Sequence, residues 1–369
     1  MKITILQDYL RSGGTERHSI LLAQEFNALG HRARLLTFRP GGALSGFGGA
    51  EHRSLQPFDT GIDWFGPGLT RAVLGDAPDI ILCMGKTANC FAGRLQRRAR
   101  ARRLTTRVIA SLRAGGRLPD LYYKSTRQAS HLVTNSQEAA DLLVSAHGFA
   151  SGKVSVIRNA LLLPAASGLR SDRFRARYGA GPETAVLVSV GMFRPEKNQR
   201  ALIEIAAGLP STWDWGLWLV GDGPERKACE GLAIRLGLSP RVRFVGYQAD
   251  PTPFVGSADI AVHASREEAL SNALIEAQAL GLPAVAYQAL GVGECLVAGR
   301  TGFVVAQGDA GAFRAALARL AADTPQERTE RAAEARSFAR EAFDRARQVR
   351  TYLDLFASLQ RVSTAPFFT

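Results

Sequence analysis

The residues best placed to do chemistry lie in Ser265-Arg-Glu-Glu-Ala-Leu-Ser-Asn-Ala-Leu-Ile-Glu-Ala277, where Glu268 and Glu276 are separated by seven residues. Glu268 precedes a helix N-cap at Ser271 or Asn272. Glu276 falls in the early turns of that helix. The first backbone N–H groups of a helix have no intrahelical partner and favour anions. A diphosphate can rest on them, with Glu268 reaching a group on one side and Glu276 one on the other. Carboxylates suit hydroxyl-rich groups such as a sugar and a ribose. Glu276 can equally be a residue that complements the helix dipole.

Three further loops follow expected strands. Val190-Gly-Met-Phe-Arg-Pro-Glu-Lys-Asn198 carries Arg194 and Lys197. Two cations at a strand end suit a diphosphate whose charge grows as its bond breaks, or they are solvated loop residues. In Val220-Gly-Asp-Gly-Pro224, Asp222 accepts a sugar hydroxyl or caps a helix starting near Pro224. Ser12-Gly13-Gly14-Thr15-Glu16 lets a ligand approach the backbone, or is an ordinary strand–helix turn. It is not the GxGxxG of a dinucleotide fingerprint.

These loops need a scaffold of alternating strands and helices. Strands are expected at Lys2–Leu6, Arg32–Phe38, Asp79–Cys83, Arg107–Ser111 and His131–Asn135, with a helix over Thr15–Leu29. Residues 40–70 resist assignment. The pattern loosens over 161–182, which reads as a linker. A second series begins beyond it, with strands at Ala185–Val190, Leu217–Val220, Val242–Val245, Ile260–His263 and Ala284–Ala286. Helices are expected at Gln199–Leu209, Glu225–Leu236 and Ser271–Leu280, and the tail from about 311 to 360 is helical. Such alternation predicts an α/β class with parallel sheets covered on both faces. Two doubly wound domains, 1–165 and 170–345, are expected to face across a cleft, with a helix over about 345–369 packing back on the first.

Composition narrows the function classes. The chain has 369 residues, 46% hydrophobic and 21% charged, an ordinary globular mixture. Cys83, Cys90, Cys229 and Cys295 show no CxxC spacing, so neither a zinc site nor a disulfide framework is expected. The opening residues lack signal-peptide features, and no run of about 18 apolar residues occurs. A cytoplasmic protein, at most peripheral at the inner membrane face, is expected. The net charge is +13 and unevenly placed. Residues 1–170 hold 23 Lys and Arg against 11 Asp and Glu, whereas residues 171–369 hold 23 against 22. This asymmetry implies an anionic partner for the first half.

The residues from Val188 to about Val305 resemble the nucleotide-sugar-binding domain of retaining glycosyltransferases of the GT-B fold, family four, the glycosyl transferases group 1 class. The resemblance rests on Val-Gly-x-x-Arg-Pro-Glu-Lys-Asn, Leu-Val-Gly-Asp-Gly-Pro, Val-Arg-Phe-Val-Gly-Tyr, Ala258-Asp259-Ile260, the Glu-x7-Glu motif, Glu-Ala-x-Ala-Leu-Gly-Leu-Pro and Gly299-Arg-Thr-Gly-Phe-Val-Val. More loosely, Gly13-Gly14-Thr15-Glu16-Arg17, Asn135-Ser136 and Val156-Ile-Arg-Asn159 are similar to the family's first half.

The resemblance implies that Glu276 binds the donor's ribose and Glu268 contacts its sugar. It implies backbone contacts from Ser271, Asn272 and Ala273, a diphosphate contact from Lys197, and an approach by Gly13 and Gly14. Two departures stand out. The family's arginine after the phosphate-loop glycine is replaced by Met192, with Arg194 taken to substitute. The family's first-half histidine is absent from Ala110-Ser-Leu-Arg113-Ala-Gly-Gly116, where Arg113 is taken as an acceptor or sugar contact. Of the histidines only His18 is singled out for testing; His31, His52, His131, His147 and His263 are assigned to surface or packing. Retention needs no obvious protein nucleophile, and no DxD-like motif occurs, so no cofactor and no metal are expected. A UDP-sugar is favoured over a GDP-sugar, with a glycan or lipid-linked acceptor in polysaccharide or glycolipid synthesis.

Arg94, Arg97, Arg98, Arg100, Arg102, Arg103 and Arg107 crowd one segment that lacks acidic partners at helical spacing. An anionic lipid surface, held above all by Arg97, Arg98, Arg102 and Arg103, accounts for them, as does a solvated helix face. Alternatives are a nucleotide-sugar epimerase or phosphorylase of the same fold, a catalytically silent relative, and a nucleic-acid-binding protein. Against the last, the chain lacks recognised nucleic-acid motifs and aromatic interleaving, so nucleic acid is not an expected partner.

Overall fold

The computed structural model describes residues 1–46, 49–113, 115, 118–163 and 170–361. The chain divides into two compact units, 1–160 with 345–369, and 161–344.

The first unit runs β1 (Lys2–Gln7), α1 (Gly14–Ala28), β2 (Arg32–Thr37), β3 (Glu51–Ser54), α2 (Leu69–Leu74), β4 (Ile80–Cys83), α3 (Lys86–Ala101), β5 (Arg107–Leu112), α4 (Asp120–Thr126), β6 (His131–Thr134), α5 (Gln137–Ser145) and β7 (Val154–Val156). Its sheet has the order β3-β2-β1-β4-β5-β6-β7, and every pairing is parallel. Central strands of such a sheet are covered on both faces and read as continuous apolar runs, as in Ile80-Ile-Leu-Cys83, buried throughout.

The second unit runs α6 (Asp172–Arg177), β8 (Ala185–Val190), α7 (Gln199–Ala207), β9 (Trp215–Val220), α8 (Arg226–Arg235), β10 (Val242–Gly246), α9 (Thr252–Gly256), β11 (Ile260–His263), α10 (Asn272–Ala279), β12 (Ala284–Tyr287), β13 (Gly302–Val305), α11 (Ala310–Ala321) and α12 (Pro325–Ala342). Its parallel sheet has the order β10-β9-β8-β11-β12-β13. One core cluster lies on each face, around Leu217 and Phe313 on one and Trp218 and Leu274 on the other.

The last helix, α13 (Arg345–Arg361), returns to the first unit. Tyr352 and Phe356 meet Phe26 of α1 at centroid distances of 6.3 and 5.6 Å. Residues 362–369 of the helix expected over 345–369 lie outside the described residues.

One expectation is corrected. The stretch 161–182 is not a loose linker: it contains α6, whose Arg175 is fully buried. That guanidinium pairs with Asp259 at 3.0 Å and donates to the carbonyls of Ser257 and Gly181. Asp259 also accepts from Val186 N at 2.7 Å, so the Ala-Asp-Ile motif ties α6 to β8. Residues 164–169 of that stretch lie outside the described ones. In the unassigned 40–70 region, β3 forms an edge strand with the alternately exposed sequence Glu-His-Arg-Ser.

Both strand orders reverse at one place, between β1 and β4 in the first unit and between β8 and β11 in the second. Loops leaving the carboxyl ends of strands on either side of such a switch point diverge, and the crevice between them is where open α/β sheets bind ligands.

Candidate functional site

The second unit's switch point is framed by the loop after β8, residues 191–198, and the loop after β11, residues 264–271. They are laced together. Arg266 N donates to Glu196 O at 2.8 Å, and Asn198 Nδ2 donates to Ala264 O at 3.3 Å. Gln307 Nε2 braces the second loop through Ser265 O at 2.7 Å and Gln288 O at 2.8 Å.

This lacing brings Lys197 onto Glu268, 71 residues away in sequence; the ammonium donates to carboxylate oxygen Oε1. The same oxygen meets Nε2 of His263, the last residue of β11, at 3.1 Å. Glu268 and His263 are 8% and 5% exposed. Burial pushes the Glu268 carboxyl up, but Lys197 and His263 outweigh it and hold its pKa at about 2. Glu268 is therefore ionised at neutral pH, one of its oxygens shared between a lysine and a histidine.

The expectation for His263 is corrected here. Its place is neither surface nor mere packing but contact with Glu268. A lone histidine ending an apolar strand carries no periodic signal. The available clue is a carboxylate five residues on, across a turn rather than on a helix.

Three residues beyond Glu268, Ser271 is the N-cap of α10, its hydroxyl accepting from Leu274 N at 3.4 Å. Asn272 and Ala273 open the helix, half-buried, and Glu276 lies half-buried one turn further. Thus Lys197, Glu268 and the start of α10 stand around one crevice.

Arg194 and Asp222 stand differently. Arg194 precedes the 3₁₀ turn Pro195–Lys197 and faces Glu196 at 3.8 Å, both partly exposed. Asp222 is corrected as a helix cap, because α8 begins only at Arg226. Its carboxylate accepts from Gly223 N at 2.8 Å and lies 3.6 Å from Arg226, largely exposed. The glycines beside it have a packing reason. Gly221 (φ 141°) and Gly223 (φ 152°) press against the loop after β8, where added Cβ atoms would come within 2.0 Å of Gly191 O and 2.4 Å of Phe193 O.

At the first unit's switch point the loop after β1 carries Arg11, which pairs with Asp63 at 2.9 Å. Gly13 is the extended N-cap of α1 and Gly14 its first residue. Asp8, which no sequence motif marks, follows β1 and accepts from Thr87 N at 2.9 Å and Ala88 N at 2.8 Å, capping α3. Burial raises its pKa against these bonds. Gly85 makes this approach possible, since a Cβ there would fall 2.1 Å from the carboxylate.

His18 and Arg113 gather nearby. Arg113 donates to Asn159 Oδ1 at 2.6 Å and to Tyr352 Oη at 3.0 Å. His18 is 1% exposed, with Nε2 2.9 Å from Gln348 Nε2 and no partner for Nδ1 among the described residues. Burial first, and then the Arg113 charge, push its pKa well below the usual histidine range.

Arg97, Arg98, Arg102 and Arg103 line the exposed end of α3 and the turn after it. Arg97 donates to Gln128 Oε1, and Arg107 donates to Leu359 O at 3.1 Å. Among the described residues, no helix is long and apolar enough to cross a membrane.

Comparisons with known proteins agree with this architecture. The model of the glycosyl transferases group 1 matches residues 170–338, and that of glycosyltransferase family 4 matches residues 12–161. The lipopolysaccharide core biosynthesis glycosyltransferase LpsE of Rhizobium meliloti is 38% identical over 149 residues, 40% of this chain and 43% of that protein. LpsD of the same organism, also a lipopolysaccharide core biosynthesis glycosyltransferase, is 34% identical over 182 residues, 49% of this chain and 52% of that protein. The chain spans about half the length of the curated relatives it matches. The crystal structure of Anabaena HepE in complex with UDP and glucose superposes with a TM-score of 0.81 at 24% identity, covering 97% of this chain and 100% of that one. That likeness speaks to the fold. Matched in both units by models of one enzyme class, the chain belongs to the group 1 glycosyltransferases of the two-domain GT-B fold.

Proposed function

We propose that this protein transfers a sugar from a nucleotide-sugar donor, UDP-linked rather than GDP-linked, to a glycan or lipid-linked acceptor in lipopolysaccharide or related polysaccharide synthesis. The observation that carries this reading is the meeting of Lys197 and Glu268 beside the N-terminus of α10 at the sheet's switch point. In this reading Lys197 and the N-terminal end of α10 neutralise the diphosphate, Glu268 holds the donor sugar and Glu276 the ribose. Arg194 supplements Lys197. The anomeric configuration is retained: the acceptor hydroxyl attacks from the leaving group's own face, and its proton passes to the departing phosphate oxygen. The protein's part is positioning and charge neutralisation, without a metal ion. The UDP preference is supported by HepE, crystallised with UDP and glucose; the acceptor class is supported by LpsE and LpsD.

A thermal-shift panel of UDP, GDP, ADP and their common sugar conjugates tests the donor site. UDP at 100 times its dissociation constant stabilises by about 2.7 kcal/mol. Glu276→Ala should abolish that shift while remaining folded. A panel in which no nucleotide stabilises the wild type sinks the reading.

The reading extends to anionic lipid on the first unit, through the exposed Arg97, Arg98, Arg102 and Arg103. Each basic residue at such a surface contributes about 1 kcal/mol at low salt. Flotation with phosphatidylglycerol vesicles should be lost when Arg98, Arg102 and Arg103 become Gln; indifference of the wild type to the vesicles rejects it.

A further inference from the structure

Lys197 and His263 address the same oxygen, Glu268 Oε1. The proposed function, on which the present inference rests, asks Lys197 to serve a diphosphate. An ammonium drawn toward phosphate leaves behind a carboxylate that is 8% exposed. A buried charge without a counter-charge is costly. Among the described residues, the group that remains in contact with that carboxylate is the imidazole of His263, and imidazole is the side chain that gains or loses charge near neutral pH.

The surroundings leave this role to His263. On one side β8 carries no ionisable residue (Ala-Val-Leu-Val-Ser-Val). On the other, β12 pairs His263 with Ala286, and its one titratable residue, Tyr287, is held above the usual phenol range, first of all by burial. The loop's own Arg266 and Glu267 are exposed. From the 3₁₀ turn come Lys197 and Glu196, the latter facing Arg194. From α10 comes Glu276, half-buried. The groups in contact with the Glu268 carboxylate among the described residues are Lys197 and His263.

We propose that binding of a nucleoside diphosphate takes up one proton at His263, the imidazolium replacing Lys197 as the counter-charge of Glu268. His263 is a positioning residue: it holds the sugar-facing carboxylate ionised and in place while the lysine changes partner. The proton comes from solvent and returns when the diphosphate leaves. Affinity for diphosphate therefore rises as pH falls, by up to about tenfold per pH unit where uptake is complete.

The test is calorimetric titration of UDP into the wild-type protein at pH 7.5, in buffers of differing ionisation enthalpy. The terminal phosphate of UDP, with a second pKa of about 6, is already ionised there, so protons taken up belong to the protein. Close to one proton per UDP is expected. His263→Gln keeps a hydrogen-bond donor toward Glu268 but cannot take up a proton. It should bind UDP with no uptake and with a flat affinity between pH 7 and 8.5. UDP binding by the wild type without uptake overturns this inference and leaves the proposed function standing. Proton uptake by His263→Gln equal to that of the wild type overturns it likewise. Absence of UDP binding by the wild type overturns both. Should the variant not fold, ring signals of the six histidines in the wild type decide. One titration midpoint must rise when UDP is added, and none rising overturns the inference.

Discussion

The two units handle the charged groups near their switch points in different ways. The second answers charge with charge: Lys197 with Glu268, and the buried Arg175 with Asp259. The first pairs Arg11 and Arg39 with Asp63 and Asp59 in its partly exposed loops, but holds three further groups with dipoles. Arg113 is held by an amide and a phenol, Asp8 by backbone N–H groups, and His18 is kept uncharged beside Gln348. An ion pair at an opening can be exchanged for an anionic ligand, because the incoming charge replaces the outgoing one. A group fixed by neutral dipoles has nothing to exchange. The Lys197–Glu268 pair is suited to trading partners; Arg113, Asp8 and His18 are suited to holding a shape.

The comparison can be broken at its strongest point first. Asp259→Ala removes the carboxylate facing fully buried Arg175, and should cost about 3–5 kcal/mol. Chemical denaturation would show it, and a loss below about 1 kcal/mol would mean the second unit does not depend on charge balance. In the first unit, Arg113→Met removes two hydrogen bonds from a charged donor and, among the described residues, no ion pair. It should cost about 1.5–3 kcal/mol, with little dependence on salt. A loss that shrinks steeply as salt is raised would show an unrecognised carboxylate partner.

The smallest effect concerns His18. Its folded pKa lies below the unfolded 6.5, so the folded state binds fewer protons as pH falls through that value. The stability is present above pH 6.5 and is lost as pH falls below it, by at most about 1.4 kcal/mol per pH unit. Replacing His18 with Gln should flatten the difference in denaturation midpoint between pH 7.5 and 5.5. An unchanged pH dependence would assign it to other groups. Glu268 shows the same sign in a more acidic range. Its folded pKa of about 2 lies below the ordinary 4.5, so its contribution is present above 4.5 and lost as pH falls toward 2.

The scaffold is legible wherever burial writes a pattern into the chain. Ala185–Val190 and Ile260–His263 can be placed to the residue because strands covered on both faces are apolar runs. The edge strand β3 cannot, since Glu-His-Arg-Ser carries no such run. Val154–Val156 and Gly302–Val305 stand out as motif residues but not as strands; short edge strands lack the length that makes a run visible. In the site, Lys197 and Glu268 are found through their motifs. His263 is not, because its partner is reached across a loop turn. Asp222 looks like a cap because Pro224 suggests a helix start, but the chain takes two further turn residues before α8. Arg175 is hidden inside a stretch whose Gly, Ala and Pro content reads as loose, though one buried guanidinium organises it.

The return of α13 to α1 also has a consequence for synthesis. The residues that seal Phe26, among them Tyr352 and Phe356, are encoded near the end of the chain, after the whole of the second unit. At ribosomal speeds of about 5–20 residues per second, the roughly 200 residues from 161 onward take about 10–40 seconds to appear. For that interval the first unit waits with an apolar face of α1 uncovered, while the contiguous 161–344 can close its own cores. The half made first is thus the half completed last. Its vulnerable surface during translation is the side of α1 that the finished protein hides.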